Sequence, residues 1–315
     1  MLRFVVSRLG LIVLAMLLVT FCTTLLAGLI PGSPAFAIYG EVPLSFARAW
    51  NKSHGLDNSI WVQYWHWLSN AFHGNLGTSW ASDGTESVSF LMGQRIPVTV
   101  EIAVVAMVVS LVIAIPVALV AASRQNGIID RFVTGVASIW SASPPFVSGV
   151  ILVALVADHW RLLPSEGFVS IGTSLGQNLE GIVLPVITLV FVVAPFFIRV
   201  LQGDLVSILN EDFVSAARSR GIPEWYVMTR HVLRPASASL VTVAGLSFGY
   251  LLGGSIIVEV FYGIPGLGNL AFNAVNNKDI PVLQGIVVCV SLFFIVVNTV
   301  VELLYRILDP RVRIT

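Results

Sequence analysis

The stretch LVSILNEDFVSAARSRGIPEWYVMTRHVLRP, Leu205 to Pro235, is the one water-facing segment of its kind in a chain otherwise composed for lipid. Leu205, Ile208, Leu209, Phe213, Ala216 and Ala217 recur at offsets of three and four and so share one helical face, while Asp204, Asn210, Glu211, Ser215 and Arg218 fall mostly elsewhere. This spacing predicts an amphipathic helix. Gly221 stands where a left-handed cap ends a helix at little cost, and Pro223 with Glu224 suits the first turn of a second helix that stops before Pro235. Small Ala216 and Ala217 beside Gly221 admit a close partner, and Arg218, Arg220, Arg230 and Arg234 surround that contact with charge. Two readings fit: a plug for a groove on another protein, or a cytoplasmic loop whose arginines only enforce topology.

The rest of the chain sets the context. Of 315 residues, 56% are hydrophobic and only 11% charged, far outside the soluble globular range. It is an integral membrane protein. The formal net charge of zero hides an asymmetry between its sides and gives no reason to expect a nucleic-acid partner. Cys22 and Cys289 both fall in apolar runs and suggest neither a disulfide framework nor a thiolate metal site.

Six apolar segments emerge: Leu9 to Ile30, Val98 to Ala122, Phe132 to Ala157, Gly181 to Val200, Ala236 to Val258 and Val282 to Leu304. The first resembles a signal peptide behind Arg3 and Arg8, but its 22 residues suffice to span, so it is read as a retained helix. Six crossings put both termini on one side. With this assignment twelve arginines, including Arg124, Arg131, Arg199 and the four of the 205–235 stretch, lie on that side. Arg48, Lys52, Arg95, Arg161 and Lys278 lie on the other. Twelve basic residues against five makes the first side cytoplasmic.

The external loop Pro31 to Pro97 holds five of the eight tryptophans. Ile60, Trp61, Tyr64, Trp65, Leu68 and Phe72 fall at helical spacing, with Asp57 and Asn58 placed to cap the helix. Such a helix either rests on headgroups or offers Trp61 and Trp65 to an external partner. Pro116, the Pro144-Pro145 pair, Pro185 and Pro195 interrupt spans and predict bends. Gly245, Gly249 and Gly253 recur every four residues, with Gly254 adjacent, as a stripe for helix packing or a smooth wall beside a substrate path. Glu101, Arg199, Glu259 and Glu302 all sit near predicted ends of spans, and no intramembrane relay of the kind ion-coupled carriers use is legible.

Catalytic signatures are missing from the sequence. It has no Gly-Lys pair and therefore no phosphate-binding GxxxxGK[ST] loop, and it lacks HExxH and CxxC. Neither Ser148 nor Ser255 has an evident base for hydrolase chemistry. The five histidines are dispersed, which argues for surface residues over metal ligands. The chain reads as a non-catalytic membrane subunit whose energy comes from elsewhere.

SAARSRGIPEWYVMTRHVLRPA resembles the EAA loop of permease subunits in binding-protein-dependent ABC importers, with Ala216, Ala217 and Gly221 on the small residues of that motif and Ser215 at its acidic position. That replacement is usual in the dipeptide and oligopeptide branch. The resemblance continues through LIPGSPA, HGLDNSIWVQYWHWL, GNLGTS, RIPVTVEIA, GGSIIVEVFYGIPGLGNL and YRILDPRVR. It implies an all-α membrane protein with the six-helix type I importer permease fold: residues 1–97 as first helix and external loop, residues 98–315 as a core of five spans with coupling helices near 205–235. It further implies a bacterial or archaeal plasma-membrane complex with a second permease, two cytoplasmic ATPase domains that hold ATP and Mg, and an external substrate-binding protein. Asp212, Phe213, Ala216, Ala217, Arg218, Arg220, Gly221 and Glu224 would then couple to the ATPase, and Tyr262, Pro265 and Asn269 would face the binding protein with Trp61 and Trp65. Peptides are the expected cargo. Nickel or another small solute is the alternative, and a stand-alone secondary carrier is a reading from a different class.

Overall fold

The computed structural model describes residues 2–29 and 31–308. Ile30, Arg311 and Arg313, which the sequence reading assigned to a span end and to the cytoplasm, lie outside the described residues. The described residues form thirteen α-helices: α1 Leu2–Leu29, α2 Pro34–Tyr39, α3 Leu44–Ser53, α4 Ile60–Phe72, α5 Val88–Ser123, α6 Ile128–Ala142, α7 Pro145–Leu152, α8 Leu175–Leu209, α9 Asp212–Ser219, α10 Glu224–Tyr226, α11 Leu233–Phe261, α12 Leu267–Asn276 and α13 Ile280–Leu308. Helices suit this composition because each satisfies its own backbone donors and acceptors where no water can.

Four stretches are long and apolar enough to cross a bilayer among the described residues: Val88–Ser123, Leu175–Leu209, Glu224–Gly253 and Ile280–Val300. A fifth candidate is the pair Ile128–Ala142 and Pro145–His159, bent by 104°, and Val13–Leu26 is a shorter apolar helix. The third apolar segment, expected as one run from Phe132 to Ala157, is therefore two helices at a sharp angle. Ser143 and Pro144 are both extended there (ψ 131° and 144°), as a residue before proline is driven to be. Pro185 and Pro195, by contrast, are buried inside an unbroken α8.

The chain divides into two compact units. One contains residues up to Thr99 together with Pro265–Ile295. Its core joins Val88 and Met92 of α5 to Leu267 and Ala274 of α12 and to Val282, Ile286 and Cys289 of α13. A satellite cluster holds Ala35, Ala47 and Trp50 against Trp80. Trp50 stacks on His54 with ring centroids 3.8 Å apart and meets Trp80 edge-on. Asp279 ties these parts together from a buried position, taking the Ser79 hydroxyl at 2.6 Å, the Ala81 amide at 3.1 Å and the Val282 amide in the first turn of α13.

In the same unit α4 runs alongside α1, with Trp61 stacked on Phe21 and the Tyr64 hydroxyl donating to the Leu17 carbonyl at 2.9 Å. The expected helix over 60–72 is present, but neither Asp57 nor Asn58 caps it: Ser59 is the N-cap residue and makes no side-chain bond there. The Asn58 carbonyl instead accepts the Gln63 side-chain amide.

The second unit contains Val100–Ile264 and residues from Val296 onward. Its centre is α8, whose Leu184, Leu189, Phe197, Leu201 and Leu205 are essentially inaccessible and which packs against α6, α7 and α11. Trp140 of α6 stacks on Phe191 of α8 at 4.2 Å, and Gln202 of α8 donates to Asp130 of α6 at 2.6 Å. At the end of α11 the Tyr262 hydroxyl shares a 2.8 Å hydrogen bond with Thr188.

Two glycines test this packing. A Cβ on Gly285 would lie 2.5 Å from Val88 Cγ1 and 3.0 Å from Met92 Sδ, whereas one on Gly253 would meet nothing within 4 Å. Gly285→Ala is expected to destabilise the folded chain by about 1–3 kcal/mol. Gly253→Ala is expected to be neutral or slightly stabilising, and thermal unfolding of the two variants side by side measures the difference.

Candidate functional site

The 205–235 segment is built from three helices and two junctions. The first junction is Asn210-Glu211, where α8 ends and α9 begins, so the register of the apolar face is reset. Leu205 and Leu209 are buried on α8, Val214 and Ala217 on α9. The sequence reading put Phe213 and Ala216 on one helical face with Leu205 and Leu209; the structure separates them, with Leu205 and Leu209 buried and Phe213 and Ala216 exposed. A single uninterrupted helix was the assumption that failed. The correction leaves a short helix with Val214 and Ala217 turned inward and an outer surface of Phe213, Ala216, Arg220 and Gly221.

The second junction is a complete Schellman turn. The Gly221 amide donates to the Arg218 carbonyl at 2.9 Å and the Ile222 amide to the Ala217 carbonyl at 3.3 Å. Gly221 has φ +74°, a conformation that glycine adopts freely and other residues resist. Its expected role as a left-handed cap is thus matched by its geometry. Asp212 at the start of α9 and Arg218 at its end both complement the helix dipole.

Arg218 also closes the turn from outside. Its Nη2 lies 2.6 Å from Glu224 Oε1 and its Nε 3.1 Å from Oε2, a bidentate clasp from α9 to the first residue of α10. The hydrogen bond from Arg218 holds the Glu224 carboxyl below the ordinary glutamate range, and Glu224 raises Arg218 in turn. Because the folded-state carboxyl is depressed, the clasp is complete above the ordinary glutamate pKa and is lost as pH falls through the depressed one. Both side chains are about half exposed, 44% and 53%, so water screens the pair and its contribution to stability is small.

The second helix does not stop before Pro235. From Pro223, the N-cap of α10, the chain runs through α10, a π-helical segment Val227–Val232, and directly into α11. Proline cannot donate to a helical carbonyl and its ring crowds the one four residues back, here that of His231; the wider π turn just before it relieves that conflict. Val227, Met228 and Val232 are buried beneath α9. The small helix is therefore seated on the root of a long one, a connection that no periodicity in the sequence reveals.

The other candidate residues are dispersed. Trp61 and Trp65 are 71% and 69% exposed on α4. Pro265 and Asn269 are half-buried, and Asn269 accepts from Asn273 at 2.7 Å. Tyr262, expected to face outward, is 2% exposed and anchored to Thr188; it is an interior residue. Burial was missed because the Gly-rich run after it reads as loop. On α11, Gly245 is buried, Gly249 and Gly253 are half-buried, and the surroundings of Gly254 lie outside the described residues. Sequence reasoning placed Glu259 at a span end; it is fully buried and accepts from Ser255 at 3.0 Å.

Comparison with known proteins adds two kinds of likeness. Residues 114–314 match the family described as binding-protein-dependent transport system inner membrane component, and residues 1–103 match the N-terminal family of the same systems. The dipeptide transport system permease protein DppB of Escherichia coli K12 is 33% identical over 99% of both chains. A probable peptide ABC transporter permease protein of Sinorhizobium fredii, y4tP, is 31% identical over 98% of this chain and 99% of its own length. A putative peptide transport system permease protein of Brucella abortus is 32% identical over 98% of each. Among solved structures, a chain of the inward-facing MetNI methionine ABC transporter superposes with a TM-score of 0.58 at 18% identity, covering 70% of this chain and 96% of that one, a likeness of fold.

The two locks on the turn differ in strength. Gly221→Ala forces an L-residue into the left-handed region, at a cost of roughly 1–2 kcal/mol. Faster amide exchange at Ile222 is the expected result. Glu224→Gln removes only an exposed ion pair and is expected to change that exchange by less than about 1 kcal/mol.

Proposed function

This chain belongs to the inner membrane components of binding-protein-dependent transport systems, and we propose that it is the permease half through which such a system imports di- or oligopeptides, driven at α9 by a cytoplasmic ATPase. The observation that carries the coupling role is the exposed face of α9, Phe213, Ala216 and Arg220, held by a Schellman turn and seated on a helix that continues into α11. A short rigid knob fits the helix-in-groove mode of recognition, in which a few side chains fill a partner's cleft and small neighbours permit close approach. Asp212, Ala217, Arg218, Gly221 and Glu224 maintain its shape.

The wider assembly follows from this reading. Six spans with both termini in the cytoplasm satisfy the twelve-to-five distribution of basic residues. Residues 1–97 supply the first span and external loop, and residues 98–315 the five-span core. A second, related permease completes the path, two ATPase domains hold ATP and Mg, and an external protein delivers substrate. Closure of the ATPase pair around nucleotide moves α9 as a rigid body, and α11 moves with it. Of the glycine stripe, the half-buried Gly249 and Gly253 face either the second permease or the path, while Gly245 is packed within this chain. Gly253 supports this, since a side chain there would meet nothing of this chain. Trp61 and Trp65 remain available to the binding protein, as do Pro265 and Asn269 in part. The peptide cargo is supported by the names of the relatives from Escherichia coli, Sinorhizobium fredii and Brucella abortus.

Ala216→Trp tests the coupling role, because the residue is exposed and the change leaves the turn untouched. The assembled transporter is expected to keep its fold and external peptide capture but to lose uptake and peptide-stimulated ATP hydrolysis by about tenfold or more, equivalent to about 1.4 kcal/mol of docking energy. Uptake at the unmodified rate would overturn the coupling role. Uptake of nickel in place of peptides by the unmodified transporter would overturn the cargo.

A further inference from the structure

Between α5 and the α10–α11 helix lies a cavity of about 650 Å³, all of it within the second unit. Its lining combines polar and basic side chains, Thr229, Arg230, His231, Arg234 and Ser237, with the apolar or aromatic Ile115, Tyr226, Leu233 and Leu240. Arg230 and Arg234 are four residues apart and so lie one turn apart on the same face, where like charges repel.

No acidic residue on the two helices that line the cavity offsets that charge. The sequence holds no Asp or Glu between Glu224 and Glu259, and none on α5 from Ile102 to Ser123. Glu224 is already clasped by Arg218. Among the described residues neither Arg230 nor Arg234 has an ion-pair partner. The hydroxyls in the cavity donate to their own helix, Thr229 to the Trp225 carbonyl at 2.7 Å and Ser237 to the Arg234 carbonyl at 2.8 Å. The donors left for a ligand are the two guanidiniums and the His231 ring, which packs edge-to-face with Tyr226. Guanidinium pairs in a concave, half-apolar site suit a phosphate, which offers several oxygens to the planar fork.

We propose that this cavity binds a phosphate-bearing anion, and that its source is an anionic phospholipid of the inner leaflet. The mixed lining favours a lipid over a soluble phosphate, since Ile115, Leu233 and Leu240 offer contact to an acyl chain and nothing to a hydrated ion. The leaflet rests on the orientation proposed above; the anion chemistry does not. A ligand wedged between α5 and the root of α11 would set how readily that root moves.

The test uses the assembled transporter, purified and placed in nanodiscs of phosphatidylcholine alone or with phosphatidylglycerol, with retained lipid read by native mass spectrometry. The unmodified protein is expected to retain phosphatidylglycerol, and R230Q/R234Q to hold it about thirtyfold more weakly, at roughly fivefold per arginine. R124Q/R131Q, which removes the same charge elsewhere on the side read as cytoplasmic, is expected to retain it. Should R230Q/R234Q fail to assemble, R234Q alone reads the same effect at about fivefold, and R230K/R234K restores most of it. Protection of the unmodified protein by inorganic phosphate in pure phosphatidylcholine, lost in R230Q/R234Q, would sustain the phosphate site but overturn its lipid source. Equal retention by the unmodified protein, R230Q/R234Q and R124Q/R131Q would overturn the site. Lipid retention requires neither ATP nor peptide, so a failure of the coupling role and a failure of this site are read separately.

Discussion

A backbone in lipid has no water to turn to, so each proline, which removes one donor, must be absorbed by the surrounding helix or must end it. This chain does both, and its shape follows from which happens where. At Pro144 the preceding residue is extended and the helix turns by 104°. At Pro185 and Pro195 the neighbours of α8 bury the ring on all sides and the helix continues. At Pro235 a π segment opens the helix just enough to pass. The last case matters most, because a clean stop there would have left α9 and α10 as a free loop.

Much of this was legible in the sequence, and the residues show why. Apolar runs of twenty or more residues mark helices in lipid almost by necessity, and all six expected stretches overlap helices that are continuous or bent once. Gly221 announced its left-handed turn because the residues that tolerate φ +74° are few. Asp212 to Ser219 was visible as a helix, but its inward face was not. Three-and-four spacing identifies a face only while the helix is unbroken, and the interruption at Asn210-Glu211 rotates everything after it.

Tertiary contacts were harder still. Asp279 looks in sequence like an ordinary acidic residue in a loop, yet it receives bonds from Ser79 and Ala81, about two hundred residues earlier in the chain, and caps α13. Tyr262 sits beside a run of glycines that reads as exposed, and only the position of Thr188 on α8 makes it an interior anchor. Neither leaves a periodic trace, since each depends on one pair of positions. Local chemistry reveals turns and helices; it says little about which distant residue waits for a buried hydroxyl or carboxylate.

The unbroken run from Glu224 to Phe261 has a mechanical meaning beyond packing. At about 1.5 Å per residue it makes a beam on the order of 55 Å long with the knob of α9 bolted near one end. A pivot of only about 5° about that end would carry the other through roughly 5 Å, comparable to one helical turn. If α9 is driven as proposed, a slight tilt at the knob end would become a wide excursion at the far end of the beam.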